Sequence, residues 1–159
     1  MSLGQVLVMS WASSLYLESK QKNPSDGALL LRFRFSDQSE RLLCLPPRQW
    51  SQLLDAAEIY CDSKPNEHPT LRADYARVFA AWNDLAPVAT PENMKPAREH
   101  TARNLYLRSH PDALILTVDH QAGPAVDFVI LAYMVFFLVE TIKFAVEEFG
   151  LKRPKATVQ

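Results

Sequence analysis

The sequence predicts an α+β fold built from two pseudo-symmetric β-β-β-α units. Three observations carry that expectation. First, Leu15-Tyr16-Leu17-Glu18-Ser19 recurs as Leu105-Tyr106-Leu107-Arg108-Ser109, 90 residues later (105 − 15). Second, the apolar runs Ala28-Leu29-Leu30-Leu31 and Ala113-Leu114-Ile115-Leu116 lie 85 residues apart (113 − 28), and the same offset relates Leu43 to Phe128, Leu45 to Ile130, Leu53 to Leu138, Leu54 to Val139 and Ala57 to Ile142. Third, each copy passes from strand-like alternation to helical spacing in the same order. A unit of this size has an apolar face it cannot bury alone, so pairing of the copies is the expected folding principle.

The first copy covers about residues 6–60. Val6 to Ser10 is a short branched, apolar run and reads as a strand. Leu15 to Lys20 alternates, and Asn23-Pro24-Ser25-Asp26-Gly27 has the composition of a turn. Leu29, Leu31, Phe33 and Phe35 then share one face of a strand, with Leu30, Arg32 and Arg34 on the other. Ser36-Asp37-Gln38-Ser39 turns the chain into a third strand over Arg41 to Leu45. Pro46-Pro47 opens a helix, since proline is tolerated where the N–H would be unpaired. Trp50, Leu53, Leu54 and Ala57 form its apolar stripe.

Residues 61–102 have no counterpart in the repeat and read as an insert. Asp62 to Pro69 is polar. Leu71, Tyr75, Val78, Phe79, Trp82 and Leu85 mark an amphipathic helix with Thr70 as its N-cap. The second copy, about 103–150, has strands over Asn104 to Ser109, Ala113 to Asp119 and Ala125 to Ile130. Its helix runs from about Leu131 to Phe149 and ends at Gly150, where a left-handed cap is cheap. The expected packing is antiparallel sheet covered by the helices, followed by a short basic tail over 151–159.

Bulk properties restrict function. The chain has 159 residues with a formal net charge of −1, so nucleic acid or anionic lipid could be held only by a local patch. The apolar run from Phe128 to Val139 has 12 residues, short of the about 20 needed to cross a bilayer. No charged region precedes the apolar N-terminus. The expected setting is the cytoplasm, away from membrane. Cys44 and Cys61 belong to no CxxC and read as free thiols. None of His68, His100, His110 and His120 has the spacing of a metal pair, and His110 and His120 bound one strand, roughly 30 Å apart. No nucleophile elbow, dinucleotide loop or phosphate loop occurs. Catalysis, metal and cofactor are not expected.

Two surfaces are candidates for binding. The second helix is apolar nearly all round. Tyr133, Phe136, Phe137 and Phe144 lie off the stripe that covers the sheet, so they need burial against either the Leu71–Leu85 helix, a second subunit or a protein partner. Tyr16, Arg32 and Arg34, with Tyr106 and Arg108 in the second copy, place an aromatic ring beside guanidinium groups on a sheet face. That combination suits a single strand of nucleic acid or simply a solvated face. The layout of Leu15-Tyr16-Leu17 with Lys20, Gly27, Leu31-Arg32-Phe33 and Leu43-Cys44-Leu45-Pro46 resembles the PUR and Whirly-type single-stranded nucleic-acid-binding proteins. The likeness covers about residues 13–60 and, more loosely, 103–149. It implies nucleic-acid binding across the sheets. Against it, Arg32 and Arg34 become Thr117 and Asp119 in the second copy. The expected function is therefore a small non-catalytic protein that regulates or inhibits a protein partner, with a homodimer as one form. The single-stranded nucleic-acid binder is the alternative.

Overall fold

A computed structural model describes residues 2–11, 27–35, 40–63, 98–120 and 124–154. Six strands and two helices follow one another as β1 (Ser2–Trp11), β2 (Leu29–Phe35), β3 (Glu40–Leu45), α1 (Pro47–Asp62), β4 (Arg98–His110), β5 (Ala113–His120), β6 (Val126–Leu131) and α2 (Ala132–Phe149). The fold is α+β, as the alternating patterns predict. Leu15 to Lys20, the Leu71–Leu85 helix and most of the insert lie outside the described residues. β4 begins at Arg98, inside the stretch expected to be insert.

The strands form one closed barrel in the order β1-β2-β3-β4-β5-β6. The expectation of antiparallel sheets needs correction. β1-β2-β3 and β4-β5-β6 are each antiparallel, but β3 pairs with β4 and β1 with β6 in parallel. Each three-stranded run has two edges with unpaired backbone groups, and the edges of one run satisfy those of the other. The parallel joint between β3 and β4 is affordable because α1 and the chain after it supply a crossover.

Two ladders match residue for residue. Leu29 faces Leu45, Leu31 faces Leu43 and Phe33 faces Arg41 in β2-β3. Leu114 faces Ile130, Leu116 faces Phe128 and Val118 faces Val126 in β5-β6, each pair 85 residues further on. The first strands follow a different offset. Leu31 faces Trp11 while Leu116 faces Leu107, a spacing of 96 (107 − 11) rather than the 90 of the pentapeptide. A register irregularity between Val6 and Val8 accompanies that difference.

The barrel interior is apolar. Leu31, Phe33 and Phe35 of β2 meet Leu114, Leu116 and Phe128 of β5 and β6, all buried. The Phe128 ring stands edge-on to Phe33 at 5.1 Å and to Phe35 at 5.3 Å, so aromatic contacts tie the two halves together. α1 packs mainly on α2 and β4, and α2 on α1 and β1. Each helix thus packs on the first strand of the other half, α2 in addition to β5 and β6 of its own and α1 in addition to β3.

Local chemistry explains where the helices begin and end. The Pro46 carbonyl accepts from Gln49 N at 2.9 Å and Trp50 N at 3.0 Å, which opens α1 without a side-chain cap. The Trp50 indole is fully buried and donates to the Gly27 carbonyl at 2.9 Å. Gly27 itself has φ 75°, so a side chain there would be strained. α2 ends at Gly150 with φ 63°, as expected. Leu151 N donates to Val146 O at 2.9 Å, closing a Schellman-type turn whose Leu151 side chain packs on the core. Cys44 sits in β3, and Cys61 lies in the last turn of α1; both are buried and not joined in a disulfide. Among the described residues no helix is long and apolar enough to cross a membrane.

Candidate interaction surface

The outward faces of the two strand runs are built from matched positions and end up in different environments. On β2-β3 the outward residues Leu30, Leu42 and Cys44 are as buried as those pointing into the barrel, and Arg32 is only 8% exposed. Sequence alternation marks this as a polar, solvated side. It is instead covered on both faces.

The two arginines there hold one carboxylate. Arg34 stands opposite Glu40 across the ladder and donates through Nη2 at 2.8 Å and Nε at 3.1 Å. Arg32, on the diagonal, donates through Nη2 at 3.0 and 3.1 Å to the two oxygens of Glu40. Burial pushes the Glu40 carboxyl up, but hydrogen bonds and charge from Arg32 and then Arg34 outweigh it and hold the group below its ordinary range. Guanidinium groups committed in this way have little capacity left for phosphate. Tyr16, proposed as their aromatic companion, lies outside the described residues.

On β4-β5-β6 the matched face is open. Tyr106, Thr117 and Asp127 form one cross-strand row, and Arg108, Ile115 and Val129 the next. Tyr106 is 57% exposed, Arg108 is exposed, and Ile115, Val129 and Leu131 are half-buried. Thr117 Oγ1 donates to Asp127 Oδ1 at 2.6 Å. Asp119 accepts from Arg103 Nη2 at 3.1 Å. The face therefore combines aliphatic surface with one tyrosine, two arginines and two carboxylates, one arginine being paired with Asp119.

The α2 aromatics divide three ways. Phe136 is buried in the core, and Phe137 is half-buried against it. Phe144 is 43% exposed. The side chain of Tyr133 lies outside the described residues. Phe136, Phe137 and Phe144 do not form one exposed patch.

A residue that the sequence reading passed over is Ile59, which at 70% is the most exposed large apolar side chain among those described. It lies off the Trp50-Leu53-Leu54-Ala57 stripe, and that offset is the signal that could have identified it. With Arg48, Gln52 and Asp55 it lines one wall of an open groove of about 1050 Å³ whose other wall is β4. Side chains of α1 cover the β4 edge beyond its pairing with β3. Gln49 Nε2 donates to Arg103 O at 2.9 Å, Gln52 Nε2 to Leu105 O at 3.2 Å and the Tyr60 hydroxyl to His110 O at 3.1 Å. The groove is thus bounded by a capped strand edge and the exposed side of a helix.

Among the described residues no group of three or more His, Cys, Asp or Glu side chains is placed to hold a metal ion. No protein-family model matches the chain, and no curated protein or solved structure is significantly similar to it.

Proposed function

We propose that this chain is a non-catalytic binding protein that regulates or inhibits a protein partner, and that the partner docks on the outward face of β4-β5-β6. One observation carries the reading. The matched face of the first half is closed, with Leu30 and Leu42 at 0% exposure, whereas this one leaves Tyr106 and the Ile115-Val129-Leu131 surface accessible to a partner. Aliphatic surface around a tyrosine and an arginine is the composition of a protein interface centre. Selection of displayed peptides against the purified protein tests it. Enriched sequences should lose binding to Tyr106→Ala and Ile115→Asp but keep it for a distant exposed change such as Glu148→Ala. Enrichment that is indifferent to both sheet-face changes sinks the proposal.

Single-stranded nucleic acid suits this face less well. Asp127 would oppose phosphates, Arg103 is engaged with Asp119, and Arg32 and Arg34 are engaged with Glu40. Salt-sensitive binding of a single-stranded oligonucleotide, lost in Tyr106→Ala with Arg108→Ala, would reverse the preference.

We also infer that the two halves derive from one duplicated unit related by a pseudo-two-fold axis. The identical β2-β3 and β5-β6 registers at an offset of 85 support it, as do helices that begin at Pro47 and Ala132, again 85 apart (132 − 47). Cross-strand nuclear Overhauser contacts between Leu31 and Leu43, and between Leu116 and Phe128, measure both registers. A slip in either one removes the basis for duplication.

A further inference from the structure

We propose that the exposed side of α1 is a self-complementary homodimer contact, in which two copies lay their α1 helices antiparallel about a two-fold axis near Gln52. Arg48, Gln52, Asp55 and Ile59 follow one another at i, i+4, i+7 and i+11. They make one stripe on the helix, on the side away from the buried Trp50, Leu53, Leu54 and Ala57. All four are exposed, Ile59 at 70%.

The charges of this helix run against its dipole. The first turn contains Arg48 and no acidic residue; the later turns contain Asp55, Glu58 and Asp62, and the last turn has no basic residue. A helix N-terminus is a positive pole and its C-terminus a negative one, so each charge sits at the end that disfavours it; Arg153 offsets part of the acidic end through Asp55 at 2.8 Å and Glu58 at 3.0 Å, while Arg48 has no such counter-charge among the described residues. An antiparallel copy of the same helix relieves both ends at once. It sets the basic start of one helix over the acidic later turns of the other, with the dipoles opposed. The two-fold axis then makes the Arg48-to-Asp55 contact twice.

The groups needed for that contact are available. Arg48 has no ion-pair partner among the described residues. Asp55 receives Arg153 Nη1 on Oδ1 at 2.8 Å, which leaves Oδ2 for a second cation. Gln52, at the axis, is held in place by its bond to Leu105 O. The groove along α1 is open and, at about 1050 Å³, sits at the upper limit of small-molecule pockets of roughly 300–1,000 Å³, which favours a macromolecular occupant. The contact goes beyond the sheet-face reading and does not rest on it.

Sedimentation velocity across roughly a hundredfold range of concentration tests the dimer. The wild-type chain should sediment at twice its 18.0 kDa mass. Arg48→Glu and Asp55→Arg should each weaken association by roughly tenfold or more, because like charges then meet twice. The two changes combined in one chain should restore it, because every swapped charge faces its opposite again. Arg153→Ala separates this from loss of the internal ion pair and should leave the dimer intact, as should Ile115→Asp. Circular dichroism checks that each variant is folded, as these exposed positions predict. A wild-type chain that is monomeric throughout overturns the proposal. So does a dimer indifferent to both single changes, or a double variant that stays dissociated.

Discussion

The outward faces of β2-β3 and β5-β6 occupy matched positions in one barrel, yet one is sealed and the other open. Leu30 at 0% exposure corresponds to the half-buried Ile115, Leu42 at 0% to the half-buried Asp127, and Cys44 at 3% to the half-buried Val129. The charged positions differ in the same sense. Arg32 is drawn out of water and must be matched by Glu40, while Thr117 at the corresponding place needs only a hydroxyl-to-carboxylate bond to Asp127. Burial of a cation is tolerated only with a partner of opposite charge and good geometry. The sealed face accordingly carries a two-arginine clamp, and the open one carries short polar contacts and accessible aliphatic surface. The β2-β3 and β5-β6 registers agree at an offset of 85; what covers the two sheets does not.

The most severe test of this contrast places the same charge at matched positions. Leu30→Asp should cost several kcal/mol, on the order of 4, because a carboxylate would be buried without a partner. Ile115→Asp should cost less than about 1 kcal/mol, since the carboxylate can reach water. Urea denaturation of both variants measures the difference. Equal losses would mean that the two faces are equally covered.

Glu40→Gln should lower stability by on the order of 2 kcal/mol, because the buried Arg32 and the neighbouring Arg34 both lose the carboxylate they share. Asp119→Asn, which breaks the exposed pair to Arg103, should cost no more than about 0.5 kcal/mol. Thermal unfolding at neutral pH distinguishes the two.

The Glu40 clamp also sets a pH dependence. The carboxyl is held below the ordinary glutamate range by Arg32 and Arg34, so the folded state releases its proton more readily than the unfolded chain. Its contribution is fully present above that range and is lost as pH falls through the lower folded pKa. Wild-type stability should therefore decline in acid more steeply than that of Glu40→Gln. Parallel acid slopes in the two proteins would separate the clamp from acid sensitivity.

Smaller effects probe the joints between the halves. Trp50→Phe removes the bond to the Gly27 carbonyl and should cost about 1 kcal/mol or somewhat more, since that carbonyl is left without its donor. Tyr106→Ala should change stability by less than about 0.5 kcal/mol while removing partner binding, because its ring is largely in water. A large stability loss from Tyr106→Ala would mark the ring as structural rather than as part of the docking face.

The sequence by itself determined the local structure. Alternation located β2 at Leu29–Phe35, and proline and glycine chemistry placed the start of α1 and the end of α2, because these signals act between near neighbours. The Trp50-Leu53-Leu54-Ala57 stripe marked the buried side of α1 for the same reason. Only the tertiary structure decided how those pieces meet. Two parallel joints close the barrel, each helix packs on strands of both halves, and β1 meets β2 in a register the repeated pentapeptide does not predict. It also decided which polar-looking residues are used internally. Arg32 and Arg34 read as a solvated pair from alternation alone, because period two says which side a residue faces and nothing about what lies against that side. Burial of Arg32 and its match to Glu40, exposure of Ile59 and Tyr106, and removal of Phe136 into the core all depend on contacts between segments distant in sequence. Strand and helix periods carry no record of such contacts.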